Sequence, residues 1–164
     1  MTNVPTPPTC RVGVDLVAIS DVEAAVRAHG DRYLQRIFTS HELDCCRAPG
    51  GWSMDSLAAR FAAKEATIKV LEPSGHQPDW DRMEVQRRAG GSCAIALSGT
   101  AAELAEAAGI TSLSLSMTHE GPFAGAVVFA LCGSPPGTTL AHPGGLTPGL
   151  IEFAAWTERK TADA

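Results

Sequence analysis

The sequence is poor in lysine and has no long apolar run. Only three of its 164 residues are lysines, namely Lys64, Lys69 and Lys160, and the formal net charge is -5. Proteins that bind nucleic acids generally need a basic surface, so this deficit argues against a nucleic-acid partner. No apolar run approaches the roughly 20 residues of a membrane-spanning helix, which argues against a membrane protein.

The cysteine pattern lacks the spacings that build metal or disulfide frameworks. None of the five cysteines stands in a Cys-x-x-Cys motif, and Cys45 and Cys46 are adjacent. This arrangement indicates neither a zinc site nor a disulfide scaffold. The N-terminal residues also lack the charged and apolar segments of a secretory signal. We therefore expect a cytoplasmic protein with reduced thiols.

Three kinds of catalytic motif are missing as well. The sequence contains no P-loop, no dinucleotide-binding glycine motif and no nucleophile elbow. These absences weaken the ATPase, Rossmann and covalent acyl-transfer interpretations.

What the sequence does contain favours one folded domain. Its length falls within the range of about 100–200 residues that is typical of a domain, and 45% of its residues are hydrophobic. Proline crowds the N-terminus, and proline and glycine recur from residue 133 to residue 149. We predict a flexible extension over residues 1–9, a folded domain over residues 10–132, and a Pro/Gly-rich linker with a short tail over residues 133–164.

Hydrophobic periodicity and turn signals predict alternating strands and helices. The predicted strands span residues 11–17, 83–88, 93–97, 112–118 and 123–131. The predicted helices span residues 19–29, which end near Gly30, 39–47, which a capping box of Thr39 and Glu42 opens, and 53–71. A capping box of Thr100 and Glu103 opens a fourth helix, which Gly109 ends. Strands paired through tight turns favour an α+β fold, in which an antiparallel sheet packs against helices.

A carboxylate interrupts the apolar stripe of the longest predicted helix. Helical spacing places Glu65 on one face with Ala58, Phe61 and Ile68. An ionised carboxylate buried there without a partner would be costly, so Glu65 needs a cation, a hydrogen-bond network or an opening to solvent. The simple structural alternative is a surface pair with Lys69, four residues further along the helix.

Asp15 is the second unusual carboxylate, because it lies on a strand of alternating apolar residues. It either faces solvent at an edge or converges with Glu65 on a divalent cation. Two carboxylates with water and phosphate oxygens are a usual way to hold Mg²⁺. Arg60, Lys64 and Lys69 would then supply positive charge for an anionic phosphate substrate.

His119 follows a predicted strand, where a turn exposes side chains. A histidine on a surface turn without a function is the structural alternative.

These motifs, in this order, resemble the holo-acyl-carrier-protein synthase (AcpS-type) family of 4′-phosphopantetheinyl transferases. The resemblance is carried by Gly-Val-Asp-Leu-Val at residues 13–17, Arg-Ile-Phe-Thr at residues 36–39 with Glu-Leu at 42–43, the run at residues 57–66 with Lys69, and residues 113–120. The run Arg-Phe-Ala-Ala-Lys-Glu-Ala followed by Lys69 is highly specific.

The resemblance implies a 4′-phosphopantetheinyl transferase-like fold and a Mg²⁺-dependent enzyme. Such an enzyme moves the 4′-phosphopantetheine arm of coenzyme A to a serine hydroxyl of an acyl carrier protein and releases adenosine 3′,5′-bisphosphate. The implied Mg²⁺ ligands are Asp15 and Glu65. Glu65 is our first choice of base, and Lys69 would neutralise charge on the transferring phosphate. The positions implied for contact with coenzyme A or for assisting the transfer are Arg60, Lys64, Lys69 and His119.

The resemblance also implies a homotrimer with active sites between neighbouring subunits. The first predicted helix departs from the family pattern, because it carries Asp21 and Glu23 where relatives usually present basic residues to an acidic carrier protein. A dedicated carrier domain of a polyketide or fatty-acid synthase would accommodate this departure. The alternatives are a non-catalytic trimer of the same fold that binds coenzyme A or a nucleotide, and a different Mg²⁺-dependent phosphoesterase.

Overall fold

The computed structural model describes residues 9–75 and 77–133. The predicted linker and tail except Gly133, and the predicted extension except Thr9, lie outside these residues. Within them the strands are β1 (Thr9–Ala18), β2 (Arg47–Ala48), β3 (Gly51–Trp52), β4 (Met83–Arg87), β5 (Cys93–Leu97), β6 (Ile110–Glu120) and β7 (Phe123–Cys132). The helices are α1 (Ile19–His29), α2 (Asp31–Ile37), α3 (Ser40–Cys45), α4 (Met54–Leu71) and α5 (Gly99–Ala107), with a 3₁₀ turn at Trp80–Arg82.

The strands pair antiparallel throughout the described residues, as the α+β prediction requires. One sheet has the order β1-β7-β6, while β4 pairs with β5 and β2 with β3. The longest helix, α4, lies across one face of the three-stranded sheet. None of the described helices combines the length and the hydropathy of a membrane span.

The residues at the helix N-termini can be compared with the capping residues that the sequence predicts. Thr39 and Glu42 form the predicted capping box, and the Ser53 side chain caps α4. The capping box predicted for Thr100 and Glu103 is wrong. The cap residue of α5 is Ser98, so Thr100 already lies inside the helix, where its hydroxyl cannot cap the first turn.

Helix α2 was not predicted, because Gly30 has two functions. The sequence indicates Gly30 as the end of α1, and the structure confirms that end. With φ 53° and ψ -136°, the same glycine turns the chain and is also the N-cap of α2. A lone glycine predicts the stop of a helix but not an immediate restart.

Close contact between α4 and β1 depends on small residues. The α4 surface that faces the sheet includes the fully buried Ala62, Ala63 and Ala66. Opposite them, a Cβ on Gly13 would overlap the Ala66 carbonyl oxygen and lie 2.9 Å from Val70 Cγ2. Helix and strand backbones therefore touch at Gly13, which only glycine permits.

The other face of β1 and β7 is apolar and exposed. We call it the outer apolar face, and it consists of Val12, Val14, Leu16, Phe123, Val127, Phe129 and Leu131, which are between 38% and 69% exposed. The strand register sets Val12 opposite Phe129 and Val14 opposite Val127, so the side chains form one continuous patch. Exposed apolar patches of this kind mark interaction surfaces.

Candidate active site

Two of the predicted site residues meet at one cavity. Asp15 from β1 and Glu65 from α4 both line an open cavity of about 580 Å³, together with Asp21, Tyr33 and Phe61. Alternation along β1 directs the even-numbered apolar residues to the outer face and Asp15 towards α4. The strand and the helix thus bring two carboxylates together from positions 50 residues apart in the sequence.

Lys69 binds Asp15 rather than Glu65. Its Nζ donates to Asp15 Oδ1 at 2.9 Å and to the Val14 carbonyl oxygen at 2.7 Å. The ion pairs found among the described residues include Lys69 with Asp15 but none with Glu65. The surface pair of Glu65 and Lys69 is therefore not formed, and one lysine faces two carboxylates.

The charges around Glu65 favour a further cation. Partial burial raises the pKa of the Glu65 carboxyl, the negative charge of Asp15 raises it further, and Lys69 opposes these effects. A divalent cation between the two carboxylates would relieve this repulsion.

The donor set is compatible with Mg²⁺. Asp15 and Glu65 offer hard oxygen ligands, and the described residues contain no cluster of three or more side chains able to hold a metal. Mg²⁺ is usually bound through one or two carboxylates and completes its shell with water and substrate oxygens.

Arg60 lies outside this cavity, and it forms no ion pair among the described residues. It is 7% exposed, and its Nη1 donates to the Ser56 carbonyl oxygen at 3.1 Å. Its Nε is buried and has no hydrogen-bond partner among the described residues. A buried guanidinium with an unpaired N–H group is suited to binding an anion.

Lys64 is placed differently from the sequence expectation. Its side chain is fully buried, its Nζ lies 2.7 Å from Glu42 Oε2, and it donates to the Trp80 carbonyl oxygen at 2.8 Å. Burial lowers the pKa of Lys64, and the adjacent Glu42 opposes that shift. The ammonium points into the protein, so this geometry gives no support to Lys64 as a phosphate ligand.

His119 and Asp15 lie on opposite edge strands of the three-stranded sheet. His119 is exposed near the end of β6 and is paired in register with Ala124 of β7. Because β7 separates β6 from β1, the strands of His119 and Asp15 are about 10 Å apart. A single chain does not bring His119 to the cavity of Asp15 and Glu65.

A basic cavity that the sequence analysis missed adjoins the carboxylate cavity. His29, Arg32, Tyr33 and Arg36 line a cavity of about 350 Å³ between α1 and α2. Tyr33 lines both cavities, and burial raises the pKa of its hydroxyl. Arg32 and Arg36 are four residues apart and therefore share one face of a helix. This spacing could have indicated the basic cavity only if α2 had been predicted.

Comparisons with known proteins agree with the motifs. Residues 11–128 match the family model described as the 4′-phosphopantetheinyl transferase superfamily. The chain is 42% identical over 124 residues to the holo-[acyl-carrier-protein] synthase of Desulforudis audaxviator, which covers 76% of this chain and 92% of that protein.

Solved structures show the same fold. The Helicobacter pylori holo-[acyl-carrier-protein] synthase in complex with coenzyme A superposes with a TM-score of 0.64 at 29% identity, covering 73% of this chain and 99% of that one. The Chronobacterium ammoniagenes ACPS-CoA complex gives a TM-score of 0.65 at 30% identity, covering 77% and 99%.

Proposed function

Because the chain belongs to the 4′-phosphopantetheinyl transferase superfamily, as a holo-[acyl-carrier-protein] synthase, we propose a specific Mg²⁺-dependent reaction. The enzyme moves the 4′-phosphopantetheine arm of coenzyme A to a serine hydroxyl of a carrier protein and releases adenosine 3′,5′-bisphosphate. The convergence of Asp15 and Glu65 on one cavity carries this proposal. The coenzyme A in two solved relatives supports the donor. Residues 10–132 are the catalytic domain in this proposal.

The reaction is a phosphoryl-type transfer, which depends on positioning and charge neutralisation more than on covalent help. The serine oxygen attacks the phosphorus attached to pantetheine, and the bond from that phosphorus to the bisphosphate breaks. Glu65 accepts the serine proton. Lys69, half-exposed beside Asp15, neutralises charge on the transferring phosphate.

Asp15 and Glu65 would hold Mg²⁺, which would supply charge neutralisation for the pyrophosphate and its leaving group. Arg60 and His119 contact the remaining phosphates of coenzyme A. The unpartnered Nε of Arg60 supports its share of this role, because its positive charge meets no carboxylate in an ion pair among the described residues.

The enzyme assembles as a homotrimer through the outer apolar face. The seven exposed apolar side chains of that face support association, since burying them removes a large apolar area from water. An active site shared between subunits would also bring His119 of one chain towards the cavity of its neighbour. That arrangement explains how His119 could act at the cavity although β7 separates it from Asp15 within one chain.

The carrier protein docks beside the basic cavity of α2. Arg32 and Arg36 would attract an acidic carrier helix, and Tyr33 connects this surface to the carboxylate cavity. On α1, Asp21 brings the opposite charge to the carboxylate cavity itself, while Glu23 pairs with Arg27. The docking surface is therefore split in charge, which favours a carrier that is acidic along one part of its helix and neutral or basic near the modified serine.

Mass spectrometry of carrier proteins tests the proposed reaction. A panel of apo-carriers is incubated with enzyme, Mg²⁺ and coenzyme A, with a parallel sample that contains a chelator. A gain of one phosphopantetheine arm only when Mg²⁺ is present is the expected result. Loss of coenzyme A without carrier modification would indicate a phosphoesterase, and binding of coenzyme A without either change would indicate a non-catalytic binder.

A further inference from the structure

A fully buried ion pair joins two of the sequence motifs. Neither Glu42 on α3 nor Lys64 on α4 exposes any side-chain surface, and the two charges lie 2.7 Å apart. Glu42 also accepts from the backbone N–H groups of Thr39 at 2.9 Å and Val85 at 3.0 Å. A buried pair recovers its desolvation cost only when pairing is close and the remaining hydrogen bonds are made, as they are here.

Trp80 holds α4 at two points. Its carbonyl oxygen accepts from Lys64 at 2.8 Å, and its ring stacks on Phe61 with centroids 5.3 Å apart and an interplanar angle of 15°. Phe61 and Lys64 are three residues apart and hence neighbours on the helix surface. Two contacts to one residue, together with the Glu42 pair, fix the rotation of α4 about its own axis.

The rotation of α4 decides where Glu65 points. Successive residues of a helix are turned by about 100°, so a buried Lys64 sets the direction of the side chain that follows it. Phe61, the residue stacked on Trp80, lines the same cavity as Glu65 and Asp15.

We propose that Lys64 is a positioning residue that orients Glu65 through Glu42 and Trp80 and does not itself bind a phosphate of coenzyme A. This inference rests on the proposed function, because its consequence is measured in the transfer reaction.

Three variants test it, namely Lys64→Met, Glu42→Gln and the double variant. Thermal melting, calorimetric affinity for coenzyme A and steady-state kinetics well below the melting temperature are compared with wild type. Each single variant should melt lower and lose about 10- to 100-fold in kcat, because Glu65 is misplaced. The KM and Kd for coenzyme A should change by less than about threefold. The double variant should melt higher than the single variants, because it leaves no buried charge unpaired.

Lys69→Met is the matched control, since it removes an exposed lysine from the same helix. It should lower the melting temperature much less than Lys64→Met does, while altering the kinetics for coenzyme A. If Lys64→Met instead keeps its melting temperature and raises the KM, Lys64 is a phosphate ligand and the proposal is wrong. A lowered melting temperature with wild-type kcat would show a purely structural residue and would also overturn it.

If the single variants do not fold, the double variant alone tests the proposal. A double variant with the kcat of wild type would refute it. Failure of the proposed function is recognised separately, because the wild-type enzyme would then modify no carrier in the panel.

Discussion

Replacing Gly13 by alanine tests the contact between β1 and α4. The added Cβ would overlap the Ala66 carbonyl oxygen and lie 2.9 Å from both the Ala66 carbonyl carbon and Val70 Cγ2. Two of these three atoms belong to the helix backbone and cannot rotate away, so α4 must move. Overpacking a core typically costs about 1–3 kcal/mol, and a backbone clash belongs at the upper end of that range. For a chain of this size, about 3 kcal/mol corresponds to a fall of about 10 °C in melting temperature.

Calorimetry of Gly13→Ala and of Gly90→Ala at one protein concentration measures the effect. A Cβ on Gly90 would meet no heavy atom within 4 Å beyond its chain neighbours, so this variant should melt close to wild type or slightly higher. Gly13→Ala should also transfer more slowly, because β1 carries Asp15 two residues further on. If Gly13→Ala has the same melting temperature as wild type, the direct contact between strand and helix is refuted.

Three further outcomes are expected. Burial and Asp15 raise the pKa of Glu65, so its stabilising contribution is present at low pH and is lost as pH rises through the shifted pKa. In metal-free buffer Glu65→Gln should therefore melt higher than wild type at pH 7 but not at pH 4, and equal melting at both pH values contradicts this. With Mg²⁺ present, the same variant should lose transfer. Asp21→Arg should speed modification of an acidic carrier, most at low salt, and an unchanged or slower rate would show that α1 does not face the carrier. Leu16→Glu should lower the mass seen by sedimentation, and an unchanged mass would exclude the outer apolar face as the interface.

The convergence of Asp15 and Glu65 was accessible from the sequence, because both lie on elements with clear periodicity. Alternation placed Asp15 on a defined face of β1, and the helical stripe identified Glu65 as a carboxylate that needs a partner. What alternation could not predict is which face of β1 is buried inside the chain. The apolar residues of this strand, such as Val14, face outwards, while Gly13 faces α4. Hydrophobicity identifies a surface that avoids water but does not say whether its cover is the same chain.

Lys64 marks a second limit of prediction from sequence. A motif places Lys64 and Glu65 side by side, but the direction in which each side chain points depends on the rotation of α4. Glu42 and Trp80, which hold that rotation in our proposal, lie 22 and 16 residues away in the sequence. Long-range contacts of this kind leave no periodic signal, whereas the capping box of Thr39 and Glu42 is local and was predicted.

The odd- and even-numbered residues of β1 lie on opposite sides of the strand and serve different roles. Gly13 and Asp15 on one side serve helix contact and chemistry, while Val12 and Val14 on the other side are exposed and line no part of the carboxylate cavity, which Leu16 does border. A protein engineer can therefore make Val12 and Val14 polar without altering the carboxylate cavity. The resulting protein would be a subunit that folds alone, retains Asp15 and Glu65, and reports how much of the reaction a single chain can perform.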